Sequence, residues 1–405
     1  MENEVSKMSE ISEKTEKPRF VLMYDFLYEA GGLEKLMTIH ARFIKKMGYD
    51  VKLIFGDVNP KMLVDKNFTN LEVEEYGNNN GKGFVKVFLN LLGKNKINKV
   101  VDKNDIIISY SFPANFTMRK LDNKKVFYMN HFPNFLYLPL GERFVWANNL
   151  GRKISFASGL VLGSVIKRID RKLVKKNAVI FENSIFTKSR IDPIYGIDGV
   201  VCYPPVGESF KPKKTKKVLK KYDIKNKFVL LSGRLIPDKR VDWLLRAFSM
   251  IKNKDVDLII CGQASEKDLQ KIKELAKKLG IEDRFKFLGL IPFEDLINLY
   301  GLAEVYAFPA PKEDFGLVPA EAISCGTPCV VWGDNSGPTE QIIDSVNGYH
   351  AKPYLIEDFA LKIDKMLDEN LKKKNQKKIV ESAKKFSEKT QFEIFSREIL
   401  KVVNS

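Results

Sequence analysis

Histidine and cysteine are scarce: the 405-residue chain has 3 of the first and 4 of the second. Cys202, Cys261, Cys325 and Cys329 have no spacing to one another or to a histidine that a zinc site uses. Three of them lie in or beside apolar strand-like runs, so buried free thiols in a reducing cytoplasm are expected. No stretch approaches the ~20 apolar residues that span a bilayer, and the nearest candidate, Phe156 to Ile166, is short and interrupted by Ser and Gly. The opening MENEVSKMSEISEKTEKP lacks the apolar segment of a signal peptide, so residues 1–17 read as a disordered leader and secretion is not expected. Acidic residues are in deficit too: 68 Lys plus Arg face 51 Asp plus Glu, a net charge of +17. Such an excess suits nucleic acid, an anionic membrane or anionic small substrates, and equally the habit of a lysine-rich proteome.

What is present alternates. Apolar, β-branched runs occur at Phe20–Met23, Val51–Phe55, Ile106–Tyr110, Val126–Met129 and Ala178–Phe181. A second series follows at Phe228–Leu231, Val256–Cys261, Phe285–Leu288, Val305–Phe308 and Cys329–Trp332. Helical periodicity fills the gaps, with Leu33, Leu36, Met37, Ile44 and Met47 on one side early on, and segments 240–252, 265–279, 293–300, 318–325 and 357–368 later. This pattern predicts an α/β protein with parallel sheets covered by helices on both faces. Pro204, Pro205 and Pro212 punctuate a lysine-rich stretch near 203–227, which reads as a linker. We therefore expect one doubly wound domain over 18–206, a second over 207–385, and a C-terminal helix within 386–405 packing back on the first.

Open α/β sheets bind ligands beyond the carboxyl ends of their strands. Glu29-Ala30-Gly31-Gly32 follows the first strand; paired glycines let a ligand approach, and also serve an ordinary turn. Asn130-His131-Phe132-Pro133 follows the fourth, placing His131 at the crevice, whereas His40 within a helix and His350 near a turn read as structural. Glu182-Asn183-Ser184 follows the fifth and equally suits a helix cap. In the second half, Arg234 and Lys239 flank a glycine turn, an arrangement that suits a diphosphate or a solvated basic turn. Next comes Pro309-Ala310-Pro311-Lys312-Glu313-Asp314-Phe315-Gly316-Leu317-Val318-Pro319-Ala320-Glu321. Here the N–H groups around Phe315, Gly316 and Leu317 form a helix start, which binds phosphate oxygens, and Glu313 and Glu321 stand on either side of it. Asp255-Val256-Asp257 spells a metal-binding Asp-x-Asp but leads into a buried strand. No Gly-x-Gly-x-x-Gly follows the first strand, which argues against a dinucleotide oxidoreductase.

Glu313-x7-Glu321 preceded by Ser232-Gly233-Arg234 and Lys239 resembles the retaining GT-B glycosyltransferases of the large family that includes bacterial phosphatidylinositol mannosyltransferases and lipid-linked-oligosaccharide mannosyltransferases. Tyr203-Pro204-Pro205-Val206, Gly289, Cys325-Gly326-Thr327-Pro328 and Asn335 to Glu340 fit as well, although Ser336-Gly337-Pro338 stands where the family often has Gly-Gly. The resemblance implies two Rossmann-like domains facing across a cleft, and transfer of a hexose, foremost mannose, from GDP-mannose or a UDP-hexose. It implies no metal and no cofactor. Arg234 and Lys239 would neutralise the pyrophosphate, helped by the helix start at Gly316. Glu313 would hold the donor sugar, Glu321 the ribose and His131 the sugar from the other domain, with Gly31 and Gly32 near the phosphates or acceptor. The implied partners are a sugar nucleotide and a lipid-linked or glycan acceptor at an anionic membrane surface on the cytoplasmic side, not nucleic acid. Toward that surface we read a single helix over Arg152 to Lys176. Its apolar side carries Ile154, Ala157, Val161, Val165, Ile169 and Leu173, and its other side Lys167, Arg168, Arg171 and Lys175. Lys213, Lys214, Lys216 and Lys217 add a second basic run. The alternatives are a UDP-sugar enzyme with a soluble acceptor, and an inert scaffold binding an anionic partner.

Overall fold

Strand-forming runs such as FVLM at 20–23 and LIIC at 258–261 bury both faces, and they become strands of two parallel sheets. The computed structural model describes residues 17–28, 31–63, 68, 70–77, 84–148, 150–176, 179–213 and 215–405. Of the expected leader only Lys17 falls among them, and Glu29, Ala30 and Lys214 lie outside. The first sheet holds β1 (Phe20–Leu27), β2 (Val51–Val58), β3 (Glu72–Glu75), β4 (Ile106–Tyr110), β5 (Lys125–Met129), β6 (Val179–Glu182) and β7 (Val200–Val201). Their spatial order is β3-β2-β1-β4-β5-β6-β7. The second holds β8 (Lys227–Ser232), β9 (Val256–Cys261), β10 (Phe285–Phe287), β11 (Val305–Ala307), β12 (Cys329–Trp332) and β13 (Gly348–Ala351), in the order β10-β9-β8-β11-β12-β13. Both are doubly wound, and the order reverses between β1 and β4 and between β8 and β11, the switch points where ligands sit.

Helices of seven or more residues are numbered in chain order. In the first half these are α1 (Gly32–Lys46), α2 (Phe84–Leu91), α3 (Leu140–Trp146), α4 (Leu150–Val161), α5 (Gly163–Lys175) and α6 (Ile185–Tyr195). In the second they are α7 (Val241–Met250), α8 (Glu266–Lys278), α9 (Phe293–Leu302), α10 (Leu317–Ser324), α11 (Ile356–Asp368), α12 (Leu371–Ser382) and α13 (Glu388–Asn404). The period of two along β8 builds the second core. Val229 and Leu231 pack with Leu244, Phe248 and Ile363 of α7 and α11, while Phe228 and Leu230 pack with Leu299, Ile323 and Ile379 of α9, α10 and α12. All four cysteines are buried and free of disulfides.

The single helix expected over Arg152 to Lys176 is two. Leu162, at φ −108° and ψ 2°, separates α4 from α5, and the glycines at 159 and 163 weaken helix propensity on either side of the break. Three strands lacked a sequence signal. β3 is the acidic edge EVEE, held by Lys52 reaching Glu74 at 3.3 Å; β7 has two residues, and β13 is interrupted by a histidine.

Contacts divide the chain into two units. Unit 1 contains residues up to Tyr128, Pro133–Ile180 and Ser396–Ser405; unit 2 contains Met129–Phe132 and Phe181–Phe395. This division lies earlier than residue 206 because the chain after β6 bonds within unit 2. Ser184 Oγ donates to the Asp314 carbonyl at 2.6 Å, and Tyr203 N–H donates to Gln391 Oε1 at 2.8 Å. By strand pairing, β7 still extends the first sheet. Helix α13 starts in unit 2 and ends in unit 1, where Lys124 Nζ donates to the carbonyls of Val402 and Val403 at 3.2 and 3.4 Å.

Candidate active site

At the switch point of the second sheet, β8 ends at Ser232 and runs through Gly233 and the turn Pro237–Lys239 into α7. β11 ends at Ala307 and leads through residues 308–316 into α10. That second connection is anchored along its length. Trp332 Nε1 donates to the Pro309 carbonyl at 2.7 Å, and Lys312 N–H donates to Asp334 Oδ2 at 2.9 Å. Gly337 N–H donates to the Glu313 carbonyl at 2.9 Å, and Gln341 Nε2 donates to the carbonyls of Phe315 and Gly316 at 2.6 and 2.9 Å. Two glycines are obligatory here. Gly316 adopts φ 75° as it opens α10, and a Cβ on Gly337 would lie 2.2 Å from the Asp314 carbonyl oxygen. Among the described residues no side-chain cap bond closes the start of α10, which leaves its N–H groups oriented to receive an acceptor atom.

Lys239 and Glu313, 74 residues apart, meet at this point: Lys239 Nζ donates to Glu313 Oε2 at 2.6 Å, and both side chains keep partial exposure. A cavity of about 650 Å³ opens beside them, lined by Asp238, Arg240, Asp242, Lys312, Glu313 and Asp314 among others. Arg240 stacks 3.8 Å from the Trp243 ring centroid and pairs with Asp242 at 2.7 Å. Arg234 lies exposed on the turn after Gly233. Glu321, on the second turn of α10, accepts from the buried Tyr300 hydroxyl at 3.1 Å, which in turn meets Ser232 Oγ at 2.6 Å. Phe315 is buried, its ring 5.6 Å from those of Tyr203 and Phe386, so it secures the turn from behind while Leu317 begins the helix.

His131 follows β5 and is grouped with unit 2. Burial, and then the Arg190 guanidinium, hold its imidazole below the usual range, so it is neutral near pH 7. Arg190 stacks on Phe132 and Phe186 at 4.6 and 5.0 Å and approaches Asp314 Oδ1 at 3.7 Å. Burial pushes the Asp314 carboxyl up to about 7, with the adjacent Glu313 charge adding to the shift. Arg190 thus stands between His131 and the Glu313 turn. Sequence reasoning missed it, because nothing in the residues around position 190 announces a partner at 314. Glu340 was quoted only as part of a motif. It receives the N–H groups of Ile185 at 3.0 Å and Phe186 at 3.5 Å and the Tyr203 hydroxyl at 2.7 Å, so it caps α6.

The first sheet has a different carboxyl end. Gly31 is the N-cap of α1 at φ −74°, and Gly32 opens the helix, with no side-chain cap bond among the described residues. At the carboxyl end of this sheet lies a polar cluster around the buried Asp25, Asp57 and Lys86 that the sequence did not suggest. Lys86 Nζ pairs with Asp57 at 3.0 Å and also with Glu75, Tyr28 donates to Asp57, and Tyr76 donates to Asp25 at 3.0 Å. Burial drives the Asp25 carboxyl up to about 7 against that hydrogen bond. His40 is buried against Tyr110, and His350 is held by the Thr339 carbonyl and Asp344. Asp255 and Asp257 sit at the amino end of β9, where Asp257 accepts from Asn226 at 3.1 Å, at the opposite end of the strand from the switch point. Among the described residues no group of three or more His, Cys, Asp and Glu is arranged to hold a metal.

The family of glycosyl transferases group 1 matches residues 213–386. This stretch is similar to the glycosyl transferases of group 1. It contains Arg234, Lys239, Glu313 and Glu321, whereas Gly31, Gly32 and His131 precede it. An uncharacterized glycosyltransferase of Methanocaldococcus jannaschii is 32% identical over 144 residues, 35% of this chain and 36% of the relative. The D-inositol 3-phosphate glycosyltransferase of Mycolicibacterium smegmatis is 37% identical over 145 residues, 35% of this chain and 33% of the relative. The chain therefore spans about a third of the length of these curated relatives. Solved structures extend the likeness beyond residues 213–386 at the level of fold. HepE of Anabaena, in complex with UDP and glucose, superposes with a TM-score of 0.74 at 17% identity, covering 95% of this chain and 100% of that one. Sucrose-phosphate synthase of Thermosynechococcus elongatus gives 0.76 at 15%, covering 95% and 99%. The fold is GT-B, with two parallel-sheet, Rossmann-like domains.

Proposed function

We propose that the protein is a glycosyltransferase that moves a hexose from a sugar nucleotide to a lipid-linked or glycan acceptor, with retention of configuration and without a metal. The observation that carries this reading is the meeting of Lys239 and Glu313 beside the uncapped start of α10. A fixed ammonium and oriented N–H groups stabilise charge that builds on a departing diphosphate, as a metal ion does elsewhere. Arg234 adds a second cation to the same face of the reaction. Glu313 accepts from donor-sugar hydroxyls, Glu321 from the ribose, and the neutral His131 serves as a hydrogen-bonding group to the sugar. Gly31 and Gly32 lie near the phosphates or the acceptor. No cofactor takes part.

GDP-mannose and UDP-hexoses are the donor candidates. HepE, solved with UDP and glucose, and the pneumococcal O-GlcNAc transferase, solved with UDP and GlcNAc, weigh toward UDP. The acceptor is drawn from an anionic membrane surface on the cytoplasmic side, in keeping with the net charge of +17. A soluble, phosphate-bearing acceptor is the second reading, favoured by the inositol phosphate in the name of the M. smegmatis relative.

Binding and turnover measured in EDTA test the proposal. Lys239→Ala is expected to weaken nucleoside diphosphate binding about tenfold to a hundredfold, the loss of a charge-assisted bond of ~1.5–3 kcal/mol, with little effect on the nucleoside. Equal losses for both ligands, or turnover that returns only with Mg²⁺ or Mn²⁺, would overturn it.

A further inference from the structure

Helices α3 to α5 and their connections present apolar side chains to solvent, not to the sheet. Val145, Leu150 and Val161 are 79%, 75% and 82% exposed, and Leu160, Leu162 and Val165 are each more than half exposed. Val161 and Val165, which the helical period placed on one apolar side, are turned outward to solvent. Between Lys153 and Lys167 the sequence has no charged residue. Isolated exposed leucines are ordinary on a protein surface, but a contiguous group marks an interaction site.

A cationic rim adjoins this face. Residues 140–176 contain nine Lys and Arg against Glu142 and Asp170, and Asp170 is buried beneath the Tyr137 hydroxyl, which donates to it at 2.8 Å. Along α5 the helical repeat places Lys172 and Lys176 on the same side as Val165. Those two lysines also line a cavity of about 590 Å³ with Arg119 and Lys120. An apolar patch bordered by cations matches the boundary between acyl chains and anionic headgroups. It does not suit a second copy of the chain, because two such rims brought together repel at a net charge of +17 each.

We infer that the α3–α5 face of unit 1 docks on an anionic bilayer by inserting its apolar residues, with the surrounding cations steering and holding it. The inference deepens the membrane-acceptor reading proposed above but rests on exposure and charge, not on glycosyl transfer. Insertion distinguishes it from attraction by charge alone, since exposed charges are screened by salt and buried apolar area is not. No helix among the described residues is long and apolar enough to cross a membrane, so the contact is confined to the interface.

Flotation of the full chain with phosphatidylcholine vesicles containing phosphatidylglycerol, at physiological salt and at about 0.5 M, tests this without any turnover. We expect binding that requires phosphatidylglycerol and persists in part at the higher salt. Val145→Glu with Val161→Glu, both at open positions, is expected to lower the salt-resistant binding by about tenfold or more while thermal melting stays unchanged. Binding that vanishes at high salt and ignores the double variant would overturn insertion. No binding at either salt would overturn docking. A wild-type dimer by light scattering that the double variant converts to monomer would assign the face to a second copy instead. Donor hydrolysis, followed in parallel, keeps the outcomes separate: its loss in the wild type refutes the proposed function, and its retention without flotation refutes only the docking surface.

Discussion

The carboxyl ends of the two sheets make opposite use of charge. In the second sheet a cation and a carboxylate, Lys239 and Glu313, meet at the rim of a cavity, both partly exposed, on a turn fixed by backbone hydrogen bonds. In the first sheet Lys86 and Asp57 pair beneath the surface, with the half-buried Glu75 on the same ammonium and a buried Asp25 nearby. A pair at a cavity rim remains available to exchange partners with a charged ligand. A buried pair has its charges committed, and removing one partner strands the other. The contrast teaches that perturbed carboxylates mark function only where a ligand can reach them.

The largest effect that would break this comparison is catalytic. Glu313→Gln is expected to reduce turnover by about 10²–10³-fold, as loss of a transition-state contact does, with nucleoside diphosphate affinity nearly intact by calorimetry. Unchanged turnover would move the reactive centre away from the second sheet. Next comes Lys86→Met, which leaves Asp57 and Glu75 without their shared cation. We expect a loss of about 3 kcal/mol in denaturant unfolding, with diphosphate affinity unaltered. Gly337→Ala brings a methyl group within 2.2 Å of the Asp314 carbonyl oxygen. Displacing the Glu313 turn in this way is expected to cost about 1–3 kcal/mol and to lower kcat more than it raises KM.

A further effect concerns pH. Asp25 titrates at about 7 in the folded chain, against an unperturbed value of 3.8. The folded state therefore holds a proton that the unfolded state has released between those values. The stabilisation is complete below the unfolded value and is lost as the pH rises through about 7. Asp314, at about 7, and Glu182, at about 8, act in the same direction. Thermal melts of Asp25→Asn should show a shallower decline between pH 4 and 8 than the wild type. An identical slope would show that Asp25 is not the titrating group.

The second half of the fold was legible because its signals are local. Continuous apolar runs fixed β9 and β12 to the residue, and helical periodicity located α7, α8 and α11 within a residue or two. Position brought forward Lys239 and Glu313 as candidates, since each follows a strand whose carboxyl end is crowded with glycine and proline. Arg190 and Lys86 were not legible, because what matters about them is a partner on another element: Asp314 for one, Asp57 and Glu75 for the other. Strand β3 escaped because pairing with β2, not side-chain apolarity, holds its acidic residues in place. The α4–α5 region shows a further limit. Periodicity identifies an apolar side of a helix, but not whether anything covers it.

The division of the chain has a consequence for how the protein is made. Unit 1 is discontinuous, and its last piece, Ser396–Ser405, follows all of unit 2. A ribosome delivering the chain from its N-terminus has finished every residue of unit 2 before unit 1 has its full complement. The earlier-synthesised sheet must therefore wait, lacking the helix end that meets Lys124, for as long as unit 2 takes to emerge. A chain arrested before Ser396 is expected to hold a folded second unit beside an incomplete first one, the reverse of the order in which they are encoded.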